Sequence, residues 1–349
     1  VTDVLICCGL GGTGKTTTAA ALAIARAMAG QRVVVLTIDP ARRLADALHL
    51  PLASATPTPV PLEGAAGSLH AQMLDRKRTW DAVVRRCAPD AATAERLLAN
   101  RYYRAVSTRL TGSHEYMAIE ALAELVQSGA WDTVILDTPP TQHLLDFLDA
   151  PDRIARVFDR SVLSALVEPG SGLFGAATRR AVGLVERVAG ASVMADIQEF
   201  FRLFGGLSHH FREQGRAARA VLSSERTRYL LVVNARAPER ADLDGFLQAL
   251  HDRDLHLSTV IFTRVCPEPP APRAGDALAQ ALSGIPDADQ WVAAFATARQ
   301  QAAFAAEGDR LAAARVAGRA RVAFAMLPDA PESVKDLRGL QALAAHLAL

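Results

Sequence analysis

Gly9 to Thr16 read GLGGTGKT, which satisfies the spacing G-x-x-x-x-G-K-[ST]. Residues of these types at this spacing bind phosphate. Glycines let backbone N–H groups wrap an oxyanion at a helix N-terminus, Lys15 reaches the β- and γ-phosphates, and the Thr16 hydroxyl ligates magnesium. A plain glycine-rich turn would account for the glycines, but it explains neither Lys15 nor Thr16. The chemistry this stretch predicts is nucleotide binding with magnesium.

Two carboxylates extend that chemistry. Asp39, in TIDPARRLADAL, and Asp137, in ILDTPPTQH, each close an apolar run that reads as a strand. In an open α/β sheet, side chains at the carboxyl ends of strands face the ligand crevice, so both can reach the magnesium and γ-phosphate region. Asp137 fits the role of holding magnesium through water, and Asp39 that of positioning an attacking water. Aspartates at strand ends also form turns, and that reading stays open for each residue taken alone.

The elements around these residues follow from hydrophobic pattern. VLICC is a buried strand, GLGGTGKTT a loop, Thr16 to Ala29 an alanine-rich helix stopped by Gly30, and RVVVLTID a second strand. Strands that are almost continuously apolar predict a parallel sheet covered on both faces. The four prolines from Pro51 to Pro61 mark an irregular loop, and Asp75 to Gln127 is mostly helical. Thr133 to Asp137 returns as a strand, ended by Pro139 and Pro140; 228–234, 257–264 and 321–328 supply three more. Six strands alternating with helices predict an α/β fold, a doubly wound and mostly parallel sheet of the P-loop NTPase type.

Pro151 to Ser224 breaks the alternation. It lacks convincing strands and is rich in apolar positions at helical spacing, including the phenylalanines of EFFRLFGGL, which read either as core or as the lining of an apolar groove. The predicted organisation is therefore a P-loop nucleotide-binding domain from 1–150 and 225–349, interrupted by a helical insert at 151–224.

Composition excludes some classes. Of 349 residues half are hydrophobic, and 38 basic against 37 acidic side chains leave a net charge of +1, so nothing argues for nucleic acid or an anionic membrane surface. The four cysteines, Cys7, Cys8, Cys87 and Cys266, form no C-x-x-C pair, so neither a zinc clip nor a redox motif is read from them. Cys7 and Cys8 fall inside an apolar strand and are expected to be buried. The chain opens directly on a strand with no charged and then hydrophobic leader, and a cytoplasmic protein is expected, peripheral to a membrane through a partner at most.

Three stretches resemble a known family. GLGGTGKTTTAAALA, TIDPARRLADAL and VILDTPPTQHLLDFL, in this order, are similar to the deviant-Walker ATPases of the ArsA type, which drive arsenical pumps or deliver tail-anchored membrane proteins. The likeness continues in LTGSHEYMAIEAL and in LPDAPESVKDLRGLQAL. It implies a phosphate loop of Gly11, Gly12, Thr13, Gly14, Lys15, Thr16 and Thr17, with Lys15 and Asp39 as the catalytic pair and Asp39 polarising the hydrolytic water. It makes Asp137 to His143 the switch that couples γ-phosphate to the insert, with Thr16 and Asp137 about the magnesium ion. Thr263 stands where the family carries an asparagine at the adenine edge, and the resemblance makes Thr263 and Arg264 nucleotide-binding residues that border the base. ATP and Mg2+ are the implied substrate and cofactor.

The chain departs from the family at Leu10, where relatives carry a lysine that reaches across the dimer to the opposing nucleotide. The resemblance thus implies either a homodimer that works without this lysine or a heterodimer with a paralogous P-loop ATPase that donates it; Arg42 or Arg43 is the alternative source of charge. Three functions stay open at this level: an ATP-driven dimeric switch that binds and releases a hydrophobic client or membrane partner, the catalytic subunit of an arsenite or anion pump, and a positioning ATPase of the septum and partition kind.

Overall fold

The computed structural model describes residues 1–38, 43–48, 56–109, 113–139, 147–150, 191–205, 207–237, 243–255, 257–269, 280–329 and 336–347. Its centre is an eight-stranded sheet in the order β3-β4-β2-β5-β1-β6-β7-β8. The strands are β1 (Asp3–Cys8), β2 (Arg32–Thr37), β3 (Thr58–Val60), β4 (Ser68–Met73), β5 (Thr133–Asp137), β6 (Thr227–Asn234), β7 (Leu257–Val265) and β8 (Ala323–Pro328). All neighbours pair in parallel except β3, which runs antiparallel to β4 along one edge. The expected α/β architecture is the observed one, with two strands more than the six predicted.

The two additional strands have a physical explanation. In β4, SLHAQM, buried and partly buried positions alternate, and the second face carries His70 and Gln72. Such a strand lacks the continuous apolar run that marks β1, β2 and β5. In β3, Pro59 lies within the proline cluster, and on an outer strand its missing N–H leaves no ladder partner unsatisfied.

Helices cover both faces because successive strand residues point to opposite sides. On one face Leu5, Cys7, Val33, Val35 and Ile135 pack beneath α1 (Lys15–Met28), α2 (Arg43–Ala47) and the last helix, α11 (Leu337–Ala344). The alanines of α1, Ala19, Ala20, Ala21, Ala23 and Ala27, have no exposed surface, so the helix lies close against the sheet. On the other face Ile6, Cys8, Val34 and Leu36 pack beneath α3 (Arg76–Cys87), α4 (Ala91–Ala99), α5 (Arg101–Arg109) and α6 (Ser113–Gln127). Cys7 and Cys8 are both buried, as expected, one toward each layer.

Of the region read as an insert, 151–190 lies outside the described residues, and two helices are described, α7 (Ala191–Gly205) and α8 (Ser208–Leu222). Both join the second layer. Phe200 and Phe204 stack with ring centroids 5.0 Å apart, and Phe204 lies 5.9 Å from Trp80 of α3. Both phenylalanines are buried with Tyr103 and Leu97, so of the two readings open for them the core reading holds. Arg101 pairs with Asp196 at 3.0 Å, and Arg96 with Glu199, which tie α7 to α5 and α4. Two further helices are described, α9 (Leu243–His251) and the 33-residue α10 (Ala288–Ala320).

Candidate functional site

The loop from β1 to α1 bends where only glycine fits. A Cβ on Gly9, at φ 152°, would stand 2.4 Å from the Val232 carbonyl oxygen. Gly14 has φ 90° and caps α1, so the helix starts at Lys15 with its first N–H groups turned toward the loop. Lys15 is buried, and its Nζ donates to the carbonyls of Gly9 and Leu10, each at 2.9 Å. The Leu10 carbonyl also accepts from the Thr13 hydroxyl at 2.9 Å. Leu10 contributes its backbone to the loop's internal bonding, while its half-buried side chain carries no charge.

Sheet register delivers the carboxylate. Asp137 at the end of β5 stands level with Cys7 of β1 and with Thr37 of β2. It is buried, and its Oδ2 accepts from the Thr16 hydroxyl at 2.8 Å and from the Thr37 hydroxyl at 3.0 Å. Beyond the strand, the Thr138 hydroxyl donates to the Cys7 carbonyl at 2.6 Å, fastening β5 to the strand that carries the loop. Thr37 was absent from the residues predicted for the site. A threonine ending an apolar strand reads as a strand former, and its tie to Asp137 is visible only through the pairing of β2 with β5.

Thr16 and Asp137 are hard oxygen donors that meet beside the loop, a donor set that fits magnesium, which takes one or two protein oxygens together with phosphate and water. Thiolate chemistry is disfavoured at the same place. Burial, and then the nearby Asp137 carboxylate, push the Cys7 thiol well above its ordinary range; burial does the same to Cys8.

The other predicted residues fall as follows. Thr16 and Thr17 open α1 behind Lys15, and Gly11 and Gly12 are exposed on the outer side of the loop, Gly12 at φ 78°. Thr263, at the end of β7, is buried against the loop and donates to the Thr13 carbonyl at 2.7 Å. Arg264 follows it, exposed and at φ 57°. Asp39, Arg42 and His143 lie outside the described residues, as does the side chain of Arg43.

Comparison with known proteins places the chain among named ATPases. ATPase ARSA2 of Chlamydomonas reinhardtii is 30% identical over 192 residues, covering 54% of this chain and 48% of that protein. ATPase asna-1 of Caenorhabditis elegans is 28% identical over 177 residues, 48% of this chain and 51% of its own length. A protein of Chlorobaculum tepidum named as an arsenical pump-driving ATPase is 30% identical over 158 residues, 44% of this chain and 36% of its own. The chain thus spans between a third and a half of the length of these curated relatives. Residues 2–274, from β1 through β7, match the family described as anion-transporting ATPase. With the loop, β5 and β7 all inside that match, the chain belongs to the anion-transporting ATPase family.

Proposed function

We propose that this chain binds ATP with magnesium at the loop after β1 and hydrolyses it. The observation that carries the reading is the hydrogen bond from the Thr16 hydroxyl to Asp137, which the register of β1 and β5 brings to the loop that holds the buried Lys15. Lys15 holds the β- and γ-phosphates once it leaves the carbonyls it now bonds. Magnesium, when bound, supplies the positive charge that offsets the phosphates. Thr16 and Asp137 would hold the ion, and Thr37 would orient Asp137. Asp39 positions the attacking water.

The reading extends to a dimeric switch. Hydrolysis relaxes the segment after Asp137, and this change passes to the region 151–224, which binds and releases a hydrophobic client or a membrane partner. Support for a protein partner comes from α10, which leaves Trp291, Phe295, Phe304 and Leu311 exposed at 52, 53, 83 and 56%. Among the described residues no helix is long and apolar enough to cross a membrane. Leu10 removes the charge that relatives place across the dimer, and a paralogous chain with lysine at that position restores it.

Affinity capture of tagged Asp39→Asn protein in Mg-ATP, from cells expressing its natural neighbours, tests the scheme. Recovery of a second P-loop ATPase with lysine at the Leu10 position supports the heterodimer; recovery of a dimer of the bait alone removes it. A second reading, energising an anion pump, rests on the pump named for the Chlorobaculum relative. Turnover that does not respond to arsenite eliminates it.

A further inference from the structure

Thr263 turns both arms of its side chain toward the phosphate loop. The hydroxyl has one proton, which it directs at the Thr13 carbonyl at 2.7 Å, with the Val233 carbonyl as a longer second acceptor at 3.3 Å. The methyl group lies 3.5 Å from where a Cβ on Gly14 would stand. The residue is 7% exposed, and its own carbonyl accepts from Ala235 N at 2.9 Å, so the end of β6 fixes the backbone of β7 from which it projects.

We infer that Thr263 is a positioning residue for phosphate: it braces the loop through Thr13 and does not select the base. The peptide joining Thr13 to Gly14 is planar and trans, so its carbonyl and its N–H point in opposite directions. Pinning the Thr13 carbonyl toward β7 turns the Gly14 N–H to the far side of the loop, the side from which an anion is cradled. Gly14 is free to adopt φ 90°, so without the brace this peptide can rotate at little cost. The hydroxyl spends its one proton on the loop and has none left to donate to a base. The inference rests on the nucleotide reading above.

Thr263→Val keeps the shape of the side chain and removes the hydroxyl. Affinities for Mg-ATP, Mg-GTP and inorganic tripolyphosphate, measured by calorimetry, are expected to fall together by about ten-fold, because a buried carbonyl loses its donor, while the ATP to GTP ratio stays constant. Thr263→Ser is expected to restore all three. A changed ATP to GTP ratio with unchanged tripolyphosphate affinity makes Thr263 a base reader and overturns the inference, as does a valine variant that binds all three like the wild type. If the valine variant does not fold, Thr263→Ser against Thr263→Ala gives the same comparison, the pair differing only in the hydroxyl. Wild-type protein that binds tripolyphosphate but no nucleotide refutes the nucleotide reading and leaves the brace standing; binding of none of the three refutes both.

Discussion

The Thr16 hydroxyl donates to Asp137 Oδ2 across 2.8 Å, although 121 residues separate the two in sequence. The same oxygen accepts from Thr37 at 3.0 Å, so one carboxylate oxygen is held by a residue of the first turn of α1 and by a residue of the neighbouring strand. A carboxylate that orients a metal's water shell depends on such support, and loss of an outer-shell partner costs about 10–100-fold in metal affinity or activity. Thr37→Val is therefore expected to raise the magnesium concentration needed for half-maximal ATP turnover by about ten-fold, with Thr37→Ser close to wild type. Titration of turnover with magnesium at saturating ATP checks it, and an unchanged requirement removes Thr37 from the site.

Leu10 offers a gain of function. Charge supplied at the transition state by an arginine finger is worth about 10^3–10^5 in rate. If this chain alone lacks such a charge, Leu10→Lys should raise the turnover of the isolated protein by at least about ten-fold, a fraction of that range. Wild-type turnover of tens per minute, unaltered by the substitution, means that the missing lysine has no catalytic consequence.

Gly9 and Gly12 separate steric from conformational demands in the loop. At Gly9 a methyl group would press on the Val232 carbonyl, a backbone atom that cannot swing aside, and overpacking of this kind costs about 1–3 kcal/mol or more. At Gly12 nothing lies within 4 Å, so alanine meets only the left-handed backbone penalty of about 1–2 kcal/mol. Denaturant unfolding of the two alanine variants should rank Gly9→Ala as the less stable. The reverse order contradicts the packing of β6 beneath the loop.

His70 predicts the acid side of the stability profile. Burial lowers its basicity, and its Nδ1 has no hydrogen-bond partner among the described residues. The unfolded chain therefore takes up the proton first as pH falls through the ordinary value of 6.5, so it binds more protons than the native state and unfolding becomes easier. Above that value the ring is neutral in both states and contributes no slope. Wild-type melting temperature should drop more than that of His70→Phe between about pH 7.5 and about pH 5.5. Parallel profiles show that another group carries the effect.

Phe204 tests the core reading of α7. Truncating a fully buried phenylalanine costs about 3–5 kcal/mol, whereas a side chain lining an open groove costs far less. Urea unfolding of Phe204→Ala should show a loss in the first range, and a loss below about 1 kcal/mol returns Phe204 to a candidate binding surface.

The loop, its lysine and its threonine are legible in eight consecutive residues, because the glycines, the helix start and the cation act on one another locally. The apolar runs of β1, β2 and β5 are equally legible, since burial on both faces leaves no room for polar positions, and the aspartate that ends β5 follows from its strand. Sheet register is another matter. That Thr37 meets Asp137, that Thr263 meets Thr13, and that Phe204 meets Trp80 are facts about which strand or helix lies beside which. No spacing along the chain encodes them. Polar alternation hid β4, and prolines hid β3, for a related reason: a strand at or next to the sheet's edge is stabilised by the pairing it finds, and its own composition says little about it. What residue types can do is written in short stretches of sequence, whereas the partner each one meets is decided when elements far apart in the chain close into one sheet, where hydrogen bonds follow alignment in space.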